Sequence, residues 1–222
     1  MQSLKKGKRK GECLMVLDRY RGIGNKILNP VAKKMAGVNP NLLSVFALLF
    51  AFLGGYAFYL TRFNSSLLLI ASLFIFINAF LDALDGTVAK ISGKISKRGD
   101  FLDHVLDRYA DVFILGGIMF SPYCSNIIGF LAILGVLLAS YLGTQAQAVG
   151  AGRIYSGVLG RADRLVILIT LPLIQYLLIA QGIILIWKFT FVEWVMLYFA
   201  VAGQITVMQR FFGAWKILKK EK

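Results

Sequence analysis

Acidic residues, cysteine and histidine are all scarce in this chain of 222 residues, and each scarcity removes a class of explanation. Eleven Asp and Glu stand against 25 Lys and Arg, a net charge of +14. The two cysteines, Cys13 and Cys124, fall on opposite sides of the arrangement derived below, so no disulfide framework holds the chain together. One histidine is present, His104, and it is read as a packing or hydrogen-bonding residue. No serine, cysteine or histidine has a partner at nucleophile spacing, which argues against a covalent intermediate. The lysine-rich residues 1–13 are followed by no apolar core and cleavage site, so no signal peptide is expected. The basic excess does not make a nucleic-acid binder either. The basic residues lie outside the apolar runs, and no aromatic-basic binding module accompanies them.

Apolar sequence, by contrast, is abundant: 58% of the residues are hydrophobic, which excludes a soluble globule. Spans are expected over 42–60, 67–90, 100–120, 126–149, 165–186 and 191–215, with Pro172 kinking the fifth. Ahead of them, Val16, Tyr20, Ile23, Ile27 and Val31 recur at helical spacing, with Arg19, Lys26 and Lys33 elsewhere on the wheel and Pro30 as a break. That pattern suits an amphipathic helix in the membrane interface. The expected fold is all-α: an interfacial helix and basic tail over 1–38, a bundle of six transmembrane helices over 39–217, and a basic tail over 218–222. Lys and Arg crowd the segment before Asn39, the loop holding Lys94, Lys97 and Arg98, the loop holding Arg153, Arg161 and Arg164, and the C-terminal end. The opposite side has Arg62 and Lys188, so both termini are expected in the cytoplasm.

Within this apolar background four carboxylates stand out. Only fifteen uncharged residues, 67–81, precede Asp82, whereas a span needs about twenty, so the second helix must continue through Asp82 and Asp85. Each acid in such a helix costs about 2.5–3.5 kcal/mol, and capping a helix end does not explain a pair inside one. Asp82, Asp85, Gly86 and Ala89 share one helical face, and Gly99, Asp103 and Asp107 share another on the third span. Four acids therefore meet at one membrane face, the cytoplasmic one. Like charges at that density repel unless cations neutralise them, and hard oxygen ligands suit Mg²⁺ or Mn²⁺ together with substrate phosphates. Glycine and alanine leave room for a bulky ligand.

These residues resemble the signature of the CDP-alcohol phosphotransferases of phospholipid synthesis, D-x2-D-G-x2-A-R-x8-G-x3-D-x3-D. Asp82, Asp85, Gly86, Ala89, Gly99, Asp103 and Asp107 match at every spacing, and Lys90 replaces the family's usual arginine. Lysine keeps the charge but loses the bidentate fork. The resemblance implies that Asp82, Asp85, Asp103 and Asp107 hold metal, Mg²⁺ or Mn²⁺ and two ions in all, with Asp107 also the general base. It further implies a nucleotide surface of Asp85, Gly86, Ala89, Lys90, Gly99 and Asp100, and a homodimer of six-span subunits in the lipid bilayer. A CDP-linked lipid, CDP-diacylglycerol or CDP-archaeol, would yield its lipid phosphoryl group to a polar phosphate-bearing alcohol and release CMP.

Acceptor choice is read from the basic loop. Arg161 and Arg164 are three apart at a helix start and share a face, and with Arg153 they form a set suited to a phosphate. The segment GRADRLVIL from Gly160 resembles inositol-phosphate-using members, although Gly160 stands where an acid is common. Inositol phosphate is the first expectation and glycerol phosphate the second. A cation transporter would need carboxylates near the midplane and an internal repeat, and a prenyltransferase would space its acidic motifs differently.

Overall fold

The caps that set the helix starts are short polar side chains at the ends of apolar runs. In the computed structural model, which describes residues 21–219 other than 153, 155 and 156, with side chains from residue 28 onward, these runs form α1 (Arg21–Lys34), α2 (Pro40–Leu60), α3 (Leu67–Ile91), α4 (Lys97–Met119), α5 (Asn126–Ala148), α6 (Arg161–Ala180) and α7 (Phe191–Leu218). Asn39 Oδ1 accepts from the Asn41 N–H at 3.1 Å, with Pro40 opening α2. Ser96 Oγ accepts from Gly99 N–H at 3.0 Å and Thr190 Oγ1 from Glu193 N–H at 3.0 Å, starting α4 and α7. No strand forms among the described residues beyond a single bridge between Ile186 and Phe189.

Where α3 ends matters most for the site. Gly93 adopts φ +66°, and the Lys94 N–H reaches back to the Ala89 carbonyl at 3.0 Å, the left-handed closure that glycine permits. The chain then reverses into α4, so the acid-bearing ends of α3 and α4 lie together. Gly55 and Gly117 fix the crossing of α2 with α4: a Cβ on Gly55 would collide with the Phe113 backbone, and one on Gly117 with the Gly55 backbone. Gly135 and Gly203 serve α5 and α7 in the same way. Buried polar bonds tie the helices together. Asn78 Nδ2 donates to the Ala47 carbonyl at 2.9 Å, Ser72 Oγ to Ile169 at 2.7 Å, and Val192 N–H to Gln175 Oε1 at 3.2 Å. Phe58, Ile75, Leu115, Leu168, Met196 and Phe199 fill the core, while Phe52, Leu73, Phe76, Leu131 and Val201 point outward. That outward apolar surface suits lipid.

Four expectations need correction or narrowing. The fifth span runs from Arg161 to Ala180, not 165–186, because Gly182 (φ +78°) closes it: Ile183 N–H bonds the Leu178 carbonyl at 2.8 Å and Gly182 N–H the Ile179 carbonyl at 2.9 Å. The apolar residues after it extend the composition of a span without its geometry. Pro30 does not break α1, which continues to Lys34. Among the described residues, five helices (α2, α3, α5, α6 and α7) are long and apolar enough to cross a membrane, giving a multi-pass membrane protein. α4 has the length, but Lys97, Arg98, Asp100, Asp103, Asp107, Arg108 and Asp111 make it too polar to count with them. Leu28, Val31 and Ala32 of α1, with Met35 just beyond it, pack with Leu43, Leu84 and Val88, so its apolar side meets protein. The tail over 1–20, with Cys13, lies outside the described residues, as does Arg153.

Candidate active site

α3 and α4 present their carboxylates to one another, and α6 brings its first turn alongside. One oxygen each from Asp82, Asp85 and Asp103 lie within 4.8 Å of one another, and ligand atoms of Asp103, His104 and Asp107 form a second such group. Asp85 and Asp107 are buried; Asp82 and Asp103 are partly exposed. Ser44 Oγ, from α2, hydrogen-bonds to Asp85 Oδ2 and fixes that carboxylate. Asp107 Oδ2 is buried and accepts no hydrogen bond among the described residues. Three carboxylate oxygens this close, with Asp107 and His104 beside Asp103, fit a hard divalent cation.

Arg161 enters the same cluster. Its Nη2 donates to Asp82 Oδ1 and Oδ2 at 2.9 and 2.8 Å and to Asp107 Oδ1 at 2.5 Å, while its side chain stays 43% exposed. Arg164, one turn on, does not join it. It is buried and donates from Nη2 to both Asp111 oxygens, at 2.8 and 3.0 Å. The pair expected to present one face to a phosphate is therefore split, with Arg161 at the mouth and Arg164 behind it. A small cleft is lined by Asp82, Asp107, Arg108, Asp111, Arg161 and Arg164.

The residues expected at a nucleotide surface divide by exposure. Gly86 is exposed, and apart from its own helix backbone and chain neighbours no described atom lies within 4 Å of where a Cβ on it would stand. Ala89 is half-buried, while Lys90 and Asp100 are exposed at the end of α3 and the start of α4. Gly99 packs under the Ser96 cap, with the position of a Cβ 3.5 Å from Asn41 Oδ1. His104 lies 3.8 Å from Asp100 and 4.0 Å from Asp103.

Ser44, Arg108 and Asp111 are the residues that reading along the chain missed. Asp111 was within reach of it, since it continues the four-residue row of Asp103 and Asp107. Arg108 places Nη2 3.6 Å from Asp107 Oδ2 and Nη1 3.6 Å from Asp111 Oδ2, and donates to Ser140 on α5. Ser44 had no local signal, because its partner is 41 residues away.

Comparison with known proteins identifies the family. The chain is 31% identical over 206 residues to the archaetidylinositol phosphate synthase of Pyrococcus horikoshii, covering 92% of this chain and 99% of that one. It is 28% identical over 204 residues to the phosphatidylinositol phosphate synthase of Cutibacterium acnes, covering 88% and 95%. The Mycobacterium tuberculosis phosphatidylinositol phosphate synthase has the same fold. Its complex with manganese and citrate superposes with a TM-score of 0.69 at 21% identity, over 85% of this chain and 88% of that one. The form with CDP-DAG bound gives 0.65 at 23%, over 86% and 94%. Residues 37–206 match the family described as CDP-alcohol phosphatidyltransferase, and the chain belongs to that family.

Proposed function

We propose that the chain transfers the lipid phosphoryl group of a CDP-linked lipid, CDP-diacylglycerol or CDP-archaeol, to a hydroxyl of inositol phosphate and releases CMP. The observation that carries this reading is the meeting of Asp82, Asp85, Asp103 and Asp107 around Arg161. The relatives named for archaetidylinositol and phosphatidylinositol phosphates support the choice of acceptor.

Asp82, Asp85, Asp103 and Asp107 would hold Mg²⁺ or Mn²⁺, two ions in this reading. When bound, these ions neutralise the diphosphate and stabilise CMP as it departs. The chain's own groups do the rest. Gly86 and Ala89 leave the nucleotide an open approach, flanked by Lys90, Gly99 and Asp100. Asp107 takes the proton of the attacking hydroxyl, and its undonated Oδ2 is the oxygen available for it. The acceptor oxygen bonds to the phosphorus carrying the lipid, the bond from that phosphorus to the bridging oxygen breaks, and CMP leaves with that oxygen. No side chain is phosphorylated on the way.

Arg161 meets the phosphate of the acceptor, with Arg153 as its companion. Asp82 and Asp107 both engage Nη2, and a phosphate uses another edge of the guanidinium fork. The site faces the cytoplasm at the cell membrane by the basic bias of that side. α4 is counted as a sixth span because its second half is apolar and it packs against α2 and α5. The subunits form a homodimer, as the family resemblance implies. Arg161→Gln is expected to raise the KM for inositol phosphate about tenfold or more while leaving that for the CDP-linked lipid nearly unchanged. Steady-state CMP release at varied acceptor checks this, and an unaltered acceptor KM would refute the Arg161 contact.

A further inference from the structure

Two charged rungs join α4 to α6. The outer rung is Asp107 with Arg161, extended to Asp82 on α3. The inner rung lies one turn further along both helices, where Asp111 pairs with Arg164 at 2.8 Å. The two rungs differ in exposure: the Arg161 side chain is 43% exposed, those of Arg164 and Asp111 only 7% and 9%. Arg108 stands beside both, facing Asp107 and Asp111 at 3.6 Å each and bonded to Ser140 of α5.

A buried ion pair adds little net stability, because desolvation offsets the attraction, but it fixes a geometry. The first turn of α6 needs such a fixture. Its N-cap, Gly160, supplies no side-chain cap. The hydrogen bond from Ser72 to the Ile169 carbonyl anchors α6 to α3 only further along the helix. Arg161 itself is a cation in a first turn, where the helix dipole disfavours it. Nothing within α6 therefore keeps Arg161 beside Asp107.

We propose that Asp111 and Arg164 are positioning residues for the transfer reaction: the inner pair sets the register of the first turn of α6 against α4 and so places Arg161 beside Asp107. The outer pair opens when substrate enters; the inner pair stays closed and returns Arg161 to the same place. This rests on the roles given above to Asp107 and Arg161. It also reassigns Arg164 from gripping the acceptor to holding the helix that does.

The test compares the full chain with Arg164→Lys and with the neutral pair Asp111→Asn/Arg164→Gln, all in the same lipid nanodiscs. The neutral pair leaves no uncompensated buried charge and is expected to unfold close to the parent temperature. Its kcat/KM for inositol phosphate is expected to fall about 10²-fold, as a small misplacement of a catalytic constellation does, with KM for the CDP-linked lipid held within about twofold. Mn²⁺ affinity, read by electron paramagnetic resonance without substrate, should rise, because Arg161 is no longer held on Asp82 and Asp107. Arg164→Lys keeps the charge without the fork and should show the same changes at smaller size. A neutral pair that folds and turns over like the parent overturns the proposal; if it fails to fold, parent-like kinetics in Arg164→Lys do so. Should the parent release no CMP with inositol phosphate, the acceptor assignment fails separately. The Mn²⁺ titration then decides, and unchanged affinity in the neutral pair contradicts the positioning role.

Discussion

Asp85 is held by a hydroxyl from another helix, and that contact has a measurable consequence. Ser44 Oγ satisfies one oxygen of a carboxylate buried among like charges. Ser44→Ala leaves that oxygen free to turn away from its neighbours. Loss of such a supporting bond typically costs 10–100-fold in metal affinity or activity, so we expect the Mn²⁺ requirement for CMP release to rise by about tenfold or more. A Mn²⁺ titration of the reaction checks this; an unshifted requirement would mean that Asp85 orients itself. The four signature aspartates were legible because helical spacing is a local rule and acids in a span are costly enough to stand out. Ser44 was not, since a contact across two helices leaves no trace in local spacing. Arg164 was misread for a related reason. Spacing put it on the face of Arg161, but only the neighbouring Asp111 shows which of the two is buried.

At the scale of helices, two adjacent glycines make opposite predictions. Gly117 lies against the backbone of Gly55, whereas no described atom outside its own helix backbone and chain neighbours lies within 4 Å of a Cβ placed on Gly116. Gly117→Ala should therefore force α2 and α4 apart and destabilise the fold by about 1–3 kcal/mol or more, since backbone cannot yield as a side chain does. Gly116→Ala should be neutral or stabilising by up to about 1 kcal/mol from helix propensity. Thermal unfolding of both variants in one detergent checks the contrast, and equal melting temperatures would refute the crossing. The adjacent glycines at 54–55 and 116–117 each permit a close helix contact, but which member is used depends on how the partner helix crosses. The end of α6 illustrates the same limit. Apolar composition continues past Ala180, and Gly182 in the left-handed region decides where the helix stops.

For the molecule as a whole, the all-helical architecture was readable from apolar runs separated by short polar turns. The span count was less so: α4 carries Asp100, Asp103, Asp107, Arg108 and Asp111 and so departs from the composition that identifies a span. The chemistry that disguises α4 is also what the bundle serves, by bringing carboxylates from α3 and α4 and a guanidinium from α6 to one end. The most direct measurement is CMP release by the purified chain from a CDP-linked lipid with Mg²⁺ or Mn²⁺, comparing inositol phosphate, glycerol phosphate, serine and free inositol, with Asp107→Asn beside the parent. Release is expected with inositol phosphate above the other acceptors, reduced about 10²–10⁴-fold in Asp107→Asn as for loss of a general base. Release favouring another acceptor, or an Asp107→Asn variant as active as the parent, would contradict the inositol phosphate assignment or the role of Asp107 respectively.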